Sequence, residues 1–529
     1  MGGNHISTNH RLVEPVVRDR PLSGELTPLH FLVFVSVALG TLIGGTTFIF
    51  GGQGAQFQKY LSLLIFYGIA SGVFVASRIR RTRLQLFELP VYITVMFFLQ
   101  FGLAPLYNFL DPSQIEPNLS ADGQELVQAL AYVIVGMAAY WVGCGLFRTK
   151  ERDRGFAGLR SQAVESEGKR GRMLLPLGIV FAISLATNVY LLKNHLYGYL
   201  SSADQYSDNL ASMQVMNTLA TFGTLALIIV AIEKYRDPLD PVWRILFFVV
   251  LASQLLWGLI SGMKSSFLQN FLVLAMVSSF VMKKLNLRWF LVLFFGLVLI
   301  YPINTAYRAI VVEERGGVTS LGGAANAGQL AWHRLGLNES NTTDVLGEGM
   351  QRTLQRLDLL TSVAEMFTLG SRASFVKGNL NWWMLPVYPF IPRFIWPSKP
   401  ILDEGGRFDL ALIRDSMLSG SASSCTAVTY PGDLYLRFGL LGIVGGMFVF
   451  GIITQWVANR VKGEVESREL FIYAGIFNIG FWYETDGFSM WTGFIKLLVI
   501  LYILRALIYG PRKAVAELRQ SPRRKRAIG

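Results

Sequence analysis

Cationic side chains mark most of the positions where this chain could do chemistry. Lys264, in SGMKSS, precedes a long polar segment, residues 308–436, which opens on Arg308 in NTAYRA and goes on to Arg372, Arg393, Lys399, Arg407 and Arg414, with Arg437 just beyond it. Two or three such cations converging would hold the oxygens of a diphosphate, arginine through a bidentate fork and lysine as a compact point charge. Lys264 and Arg308 lead this set. For any one of them alone, snorkelling or a structural ion pair is the plainer account. Among carboxylates, Asp433 in TYPGDLYLRFG stands out, with Tyr430, Tyr435 and Arg437 around it. Partial burial beside a cation would leave it ionised and oriented to take a proton from a sugar hydroxyl, and helix capping or ion pairing is the structural alternative. Asp403, Glu404 and Asp409, in PILDEGGRFD, read as solvated groups of a glycine-rich loop, and His333 in AWHRLG is a further candidate base. Trp332, Trp382, Trp383, Tyr388, Trp396, Tyr430 and Tyr435 would serve either an interfacial belt or stacking on sugar rings.

These residues need a scaffold, and composition names its class. The 529 residues are 52% hydrophobic and only 16% charged, with a mean hydropathy of +0.42, too little polar surface for a soluble protein of this size. About twelve apolar runs are long enough to span a bilayer as helices, near 29–50, 57–77, 87–107, 127–147, 173–193, 215–233, 243–262, 267–283, 288–307, 438–457, 469–484 and 488–508. Basic clusters fall in every second gap: RIRRTR at 78–83, the stretch 148–172, Lys234 with Arg236, Lys283 with Lys284, Arg460 with Lys462, and RRKR at 523–526. Such clusters stay in the cytoplasm, so both termini are expected there and the 308–436 loop on the opposite face. The expected layout is a cytoplasmic tail over 1–28, nine spans over 29–307, the large outer loop, three spans over 437–508 and a basic tail over 509–529. The net charge of +13 sits beside membrane spans, which points to orientation and lipid contact, and nucleic acid is not an expected partner.

Within the outer loop, 380–396 is apolar, but Pro386, Pro389, Pro392 and Arg393 argue for an interfacial or re-entrant element and against a span. The segment 352–369 has the spacing of an amphipathic helix on the membrane surface, and 315–328 and 404–424 read as flexible glycine-rich connections. Glu484 and Asp486 flank a short outer turn, and Lys496 lies in the last span, where a functional role and a pair with a carboxylate of another helix explain it equally well. Cys144 and Cys425 fall in a span and in the outer loop and are not expected to pair. Neither a CxxC pair nor an Asp-x-Asp in the first two outer loops is present, so no metal and no cofactor are expected.

The run GNLNWWMLPVYPFIPRFIWPSKP at 378–400, followed by SSCTAVTYPGDLYLRFGLLGIVGGMFVFG at 423–451, resembles the Wzy family of bacterial O-antigen and exopolysaccharide repeat-unit polymerases. Pro392, Arg393, Trp396, Pro397, Lys399, Pro400, Asp433, Tyr435, Phe438 and Gly439 carry the likeness. The resemblance implies an integral-membrane glycosyltransferase of the C type in the bacterial inner membrane. Such an enzyme moves a growing glycan from undecaprenyl diphosphate onto a hydroxyl of a second lipid-linked repeat unit at the periplasmic face, without metal. Asp433, Arg308 and Arg393 would be catalytic, and Lys264, Arg372, Lys399, Arg437, Trp396 and Tyr435 would bind substrate. Membrane lipids and a chain-length regulator are the further partners it suggests. Two departures stand out: Lys264 occupies a turn where relatives carry arginine, and Asp433 a position more often glutamate. An O-antigen-type ligase, a flippase for the same lipid-linked oligosaccharide and a membrane scaffold are the alternatives.

Overall fold

The computed structural model describes residues 55–79, 83–106, 123–148, 156–159, 167–198 except 195, 210–286, scattered positions between 288 and 310, 321–334, 357–378, 382–391, 395–400 except 397, 402, 404–412, 427–461, 463–480 and 483–510. The expected span at 29–50, most of that at 288–307 and both tails lie outside these residues.

The described chain is helical. In order it forms α1 (Ala55–Arg78), α2 (Leu89–Phe97), α3 (Gly123–Leu146), α4 (Glu167–Lys193), α5 (Leu210–Ala220), α6 (Phe222–Arg236), α7 (Pro241–Ile260), α8 (Lys264–Met282), α9 (Leu321–Arg334), α10 (Leu360–Thr368), α11 (Ala373–Lys377), α12 (Glu404–Leu412), α13 (Tyr430–Ala458), α14 (Ser467–Gly475) and α15 (Gly487–Tyr509). Two short strands, Phe156–Leu159 and Gly463–Val465, pair in parallel beside the bundle. Among the described residues, eight helical segments are long and apolar enough to cross a membrane: Gln56–Arg78, Gly123–Leu146, Gly171–Lys193, Val215–Arg236, Pro241–Ile260, Ser265–Met282, Tyr430–Val461 and Gly487–Tyr509. The protein is therefore an α-helical, polytopic membrane protein.

Helix ends follow local chemistry. Asp240 accepts from Val242 N at 2.8 Å ahead of Pro241, and Asp486 accepts from Ser489 N at 2.7 Å, each satisfying a first-turn donor. The expected spans at 87–107 and 469–484 are interrupted, α2 and α14 each ending in a π-helical turn, Phe98–Leu103 and Ile476–Gly480. The two pack together, with Tyr92 and Phe477 rings 4.6 Å apart and the Tyr473 hydroxyl donating to Phe87 O at 2.6 Å.

At the centre, α3 and α13 run parallel at close approach. A Cβ at Gly143 would lie 2.3 Å from Phe448 O, and one at Gly451 2.1 Å from Tyr140 O, so only glycine permits this separation. Near their C-terminal ends Arg78 is buried, pairing with Glu88 at 2.8 Å and donating to Gln455 Oε1 at 2.6 Å.

The first turns of α13 do not continue into the span. Gly439 takes φ 65° and ψ −156°, a backbone conformation that excludes other residues, and the chain reverses there. Tyr430 OH donates to Gly446 O at 3.0 Å, and the Tyr430 and Phe450 rings are 5.5 Å apart. In an unbroken helix those rings would be separated by about 30 Å along the axis. Residues 430–438 thus form a re-entrant half-helix that doubles back against the span starting at Leu440, with Leu434 seated over Gly442 and Gly446.

The doubled-back half-helix at 430–438 was not expected. The described part of 380–396, read as an interfacial or re-entrant element, consists of short 3-10 turns, Trp382–Met384 and Tyr388–Phe390. Of the helix expected at 352–369, Leu360–Thr368 is present as α10 and 352–356 lie outside the described residues; Leu360 through Met366 are buried, because α3 and α13 cover the face that the spacing assigned to lipid. The stretches read as flexible contain α9 and α12; the latter buries Phe408, Ala411 and Leu412 against Val376, Met366 and Leu436.

Candidate functional site

The half-helix is held at its tip by backbone. Thr429, at φ 61° the N-cap of α13, accepts from Gly432 N through its hydroxyl, and its own N–H donates to Glu484 O at 3.1 Å. Tyr430 N donates to Tyr483 O at 2.7 Å. A β-branched residue at positive φ is costly and persists only where its surroundings enforce it. The turn before α15 does so, and it is also anchored from below, with Gln100 Nε2 donating to Glu484 Oε1 at 3.2 Å and Tyr483 OH to Gln100 Oε1 at 2.5 Å.

This arrangement buries Asp433 completely and uses both of its oxygens. Oδ1 accepts from Arg437 Nε at 2.5 Å, one helical turn on, and Oδ2 accepts from Gly487 N at 2.9 Å, the first residue of α15. The Arg437 guanidinium also donates to Glu404 Oε1, from the start of α12, and to Lys377 O at 3.3 Å. Glu404 is 1% exposed and its Oε2 has no partner. One carboxylate oxygen each of Glu404, Asp433 and Asp486 lies within 4.8 Å of the others. By ligand type alone such a set would suit a hard cation, but here Arg437 bridges two of the three carboxylates and fills that role with a side chain. Burial pushes the Glu404 carboxyl well above the ordinary glutamate range, the charges of Asp433 and Asp486 add to this, and Arg437 opposes it.

Aromatic rings border the cluster. The Arg437 guanidinium lies 5.9 Å from the Trp382 ring centre, Trp382 meets Phe438 and Phe488 edge-on at 5.9 and 6.0 Å, and Tyr388 meets Phe488 at 5.1 Å. The Trp382 indole N–H and Arg407 Nε and Nη2 are buried without partners. Four unpartnered polar atoms around one ion cluster set it apart from a closed structural network, in which each buried polar group finds a partner.

The structure brings together Asp433 and Arg437 of the sequence candidates and separates others. Tyr435 points the other way, its ring 4.5 Å from Phe367 and 5.7 Å from Tyr132. Lys399 is buried, donating to Tyr388 O at 2.7 Å and Ile391 O at 2.8 Å, and so holds the loop closed. Trp396 donates to Ser398 Oγ at 3.1 Å and sits edge-on to Tyr388. Arg372 donates to Ala411 O, near the C-terminal end of α12, where a cation complements the helix dipole. Lys264 opens α8, its side chain outside the described residues; Arg308 and Arg393 lie outside them altogether. Tyr307, preceding Arg308, donates to Ile260 O at 3.2 Å and so sits against the turn leading to Lys264. His333 is exposed on α9, which packs in a separate apolar cluster with Trp257 and Tyr307. Lys496 donates to the Thr218 hydroxyl at 2.9 Å and meets no carboxylate among the described residues.

Of the other residues at the site, the sequence offered Arg407 among the candidate cations and Trp382 among the stacking aromatics, whereas Glu404 was read as a solvated loop residue and Asp486 only as flanking a short outer turn. The signal for α12 was the Glu-x-x-Arg-Phe-x-x-Ala-Leu spacing of 404–412, helical in period but masked by Gly405 and Gly406.

Residues 178–508 match the family described as Domain of unknown function (DUF8712), and the chain belongs to that family. No curated protein and no solved structure matches it.

Proposed function

We propose that this DUF8712 member is a membrane-embedded glycan transferase, a polysaccharide polymerase that moves a growing glycan from undecaprenyl diphosphate to a hydroxyl of a second lipid-linked repeat unit at the periplasmic face of the bacterial inner membrane. One observation carries the reading: a buried group of three carboxylates around one guanidinium, on a re-entrant half-helix, bordered by tryptophan and tyrosine rings and with unpartnered donors and an unpartnered acceptor. Aromatic faces with polar tips suit sugar rings, and a carboxylate within reach of a hydroxyl suits proton removal.

Roles follow from which atoms are already engaged. Asp433, bonded at both oxygens, positions Arg437 and the first turn of α15. Glu404, with Oε2 unpartnered, is the better placed carboxylate for the acceptor hydroxyl, and it acts as base in the form that Arg437 keeps ionised against the effect of burial. In the transfer, the acceptor oxygen forms the new bond to the anomeric carbon, the bond from that carbon to the diphosphate oxygen breaks, and the acceptor proton passes to Glu404. Because diphosphate is a good leaving group, fixed cations supply much of the remaining help, and Arg308, Arg393 and Lys264 stay candidates for that task.

The re-entrant half-helix also occurs in carriers, so a transporter for the same lipid-linked sugar is the second reading. Purified protein in nanodiscs supplied only with synthetic lipid-linked repeat units separates them. A polymerase yields a ladder of longer glycans, and Glu404→Gln slows it by about 10²- to 10⁴-fold, the usual contribution of a general base. No ladder from the wild type, with the repeat unit instead appearing in the opposite leaflet, would establish the carrier.

A further inference from the structure

Arg407 differs from every other described cation near the cluster. Arg437 is engaged by Asp433, Glu404 and Lys377 O, Arg372 by Ala411 O, and Lys399 by Tyr388 O and Ile391 O. Arg407, one turn beyond Glu404 on α12, has its Nε and Nη2 buried with no acceptor. Those two N–H groups point from the same edge of the guanidinium plane, parallel and spaced to meet two oxygens of one carboxylate or phosphate. A buried guanidinium edge left without an acceptor is unfavourable, and a ligand that offers it two oxygens would complete it.

The edge is held in place by construction. The guanidinium lies directly against Gly378: a Cβ there would fall 2.1 Å from Nη1, 2.7 Å from Cζ and 2.9 Å from Nη2. Gly378 adopts φ 55° and ψ −165°, a conformation open only to glycine, at the residue after the carbonyl that receives Arg437. Phe408, Ala411 and Leu412 anchor α12 in the apolar cluster with Val376 of α11, so helix and platform move together. Among the described carboxylates, Asp433 and one oxygen of Glu404 are committed to Arg437, and Asp486 caps α15.

We propose that the Nε–Nη2 edge of Arg407 is an oxyanion-binding fork, where this protein takes a phosphate or carboxylate group of its ligand. The fork rests on the reading of the cluster as a ligand site, and it specifies that the ligand carries a planar pair of charged oxygens near a hydroxyl, the latter facing Glu404 Oε2. Two sources share that chemistry, a diphosphate leaving group and the carboxylate of an acidic sugar.

Binding is measured by calorimetry on the full-length protein in nanodiscs of neutral lipid, with inorganic diphosphate, glucuronate and glucose as probes. The wild type binds an oxyanion and not glucose. Arg407→Gln weakens it about ten- to a hundredfold, the worth of a bidentate charged contact. Arg407→Lys, which keeps the charge but loses the fork, weakens it nearly as much, and Gly378→Ala, which displaces the guanidinium, does so without touching the arginine. Saturation by diphosphate alone assigns a phosphate, and saturation by glucuronate alone an acidic sugar. Wild-type affinity for both anions in Arg407→Gln, or no oxyanion binding by the wild type, overturns the proposal. The readout is independent of catalysis: oxyanion binding that depends on Arg407 in a protein making no polymer would sink the polymerase reading and leave the fork standing.

Discussion

Among the described residues, Arg437 is the one cation shared by two carboxylates that are each at most 1% exposed, and replacing it with methionine tests the charge balance of the whole site. The change keeps the aliphatic stem beside Trp382 and removes the guanidinium from Asp433, Glu404 and Lys377 O at once. Removing one partner of a buried ion pair costs about 3–5 kcal/mol, because the other charge is left in low dielectric. The two pairs share one guanidinium, so the costs do not add, and protonation of Glu404 limits the total. The expected loss is thus about 3–5 kcal/mol, or roughly two to three and a half powers of ten in the folded-to-unfolded ratio. Adding Glu404→Gln to Arg437→Met removes one stranded carboxylate and restores about 1–3 kcal/mol, the coupling expected of residues in one network. Reversible denaturant titration of the protein in mixed micelles reads all four corners of the cycle. Equal stability of wild type and Arg437→Met, or additive single effects, would refute the reasoning, since it requires the carboxylates to depend on that one cation.

Two further outcomes follow from the same geometry. Glu404 binds its proton more tightly in the folded protein than in the unfolded chain, so its contribution to stability is full below the unfolded glutamate pKa, about 4.3, and is lost as pH rises toward and through the folded value. Stability should therefore fall with rising pH in the wild type more steeply than in Glu404→Gln, and parallel pH profiles of the two would contradict the burial of that carboxyl. Gly439→Ala meets no neighbouring atom, yet it forces an L-residue into φ 65°, ψ −156°; it should cost about 1–3 kcal/mol from backbone strain alone, checked by the same denaturant titration.

How much of this could be read in advance depended on the range of the interaction. Apolar runs of span length located seven of the eight long helical segments to within a few residues, and the eighth from Leu440 onward, because a lipid-crossing backbone must satisfy itself locally. The pairing of Asp433 with Arg437 was legible too, since four residues on a helix make neighbours. The reversal at Gly439 was not: FGLLG reads as one more turn of an apolar helix, and only contacts such as Tyr430 with Gly446 reveal the fold-back. Glu404 lies 33 residues from its guanidinium partner, and nothing in its own neighbourhood announces burial. The amphipathic pattern of α10 was sound, but a periodic apolar stripe does not say whether lipid or protein will cover it.

Three hydrogen bonds fasten the tip of the half-helix to the turn ahead of α15: Thr429 N to Glu484 O, Tyr430 N to Tyr483 O, and Gly487 N to Asp433 Oδ2. Such a clamp makes the carboxylate platform a stationary part of the frame, coupled to the last helix and unable to swing by itself. The 3-10 turns Trp382–Met384 and Tyr388–Phe390 border this frame without belonging to the clamp, and the Lys399 ammonium ties the second of them through Tyr388 O and Ile391 O.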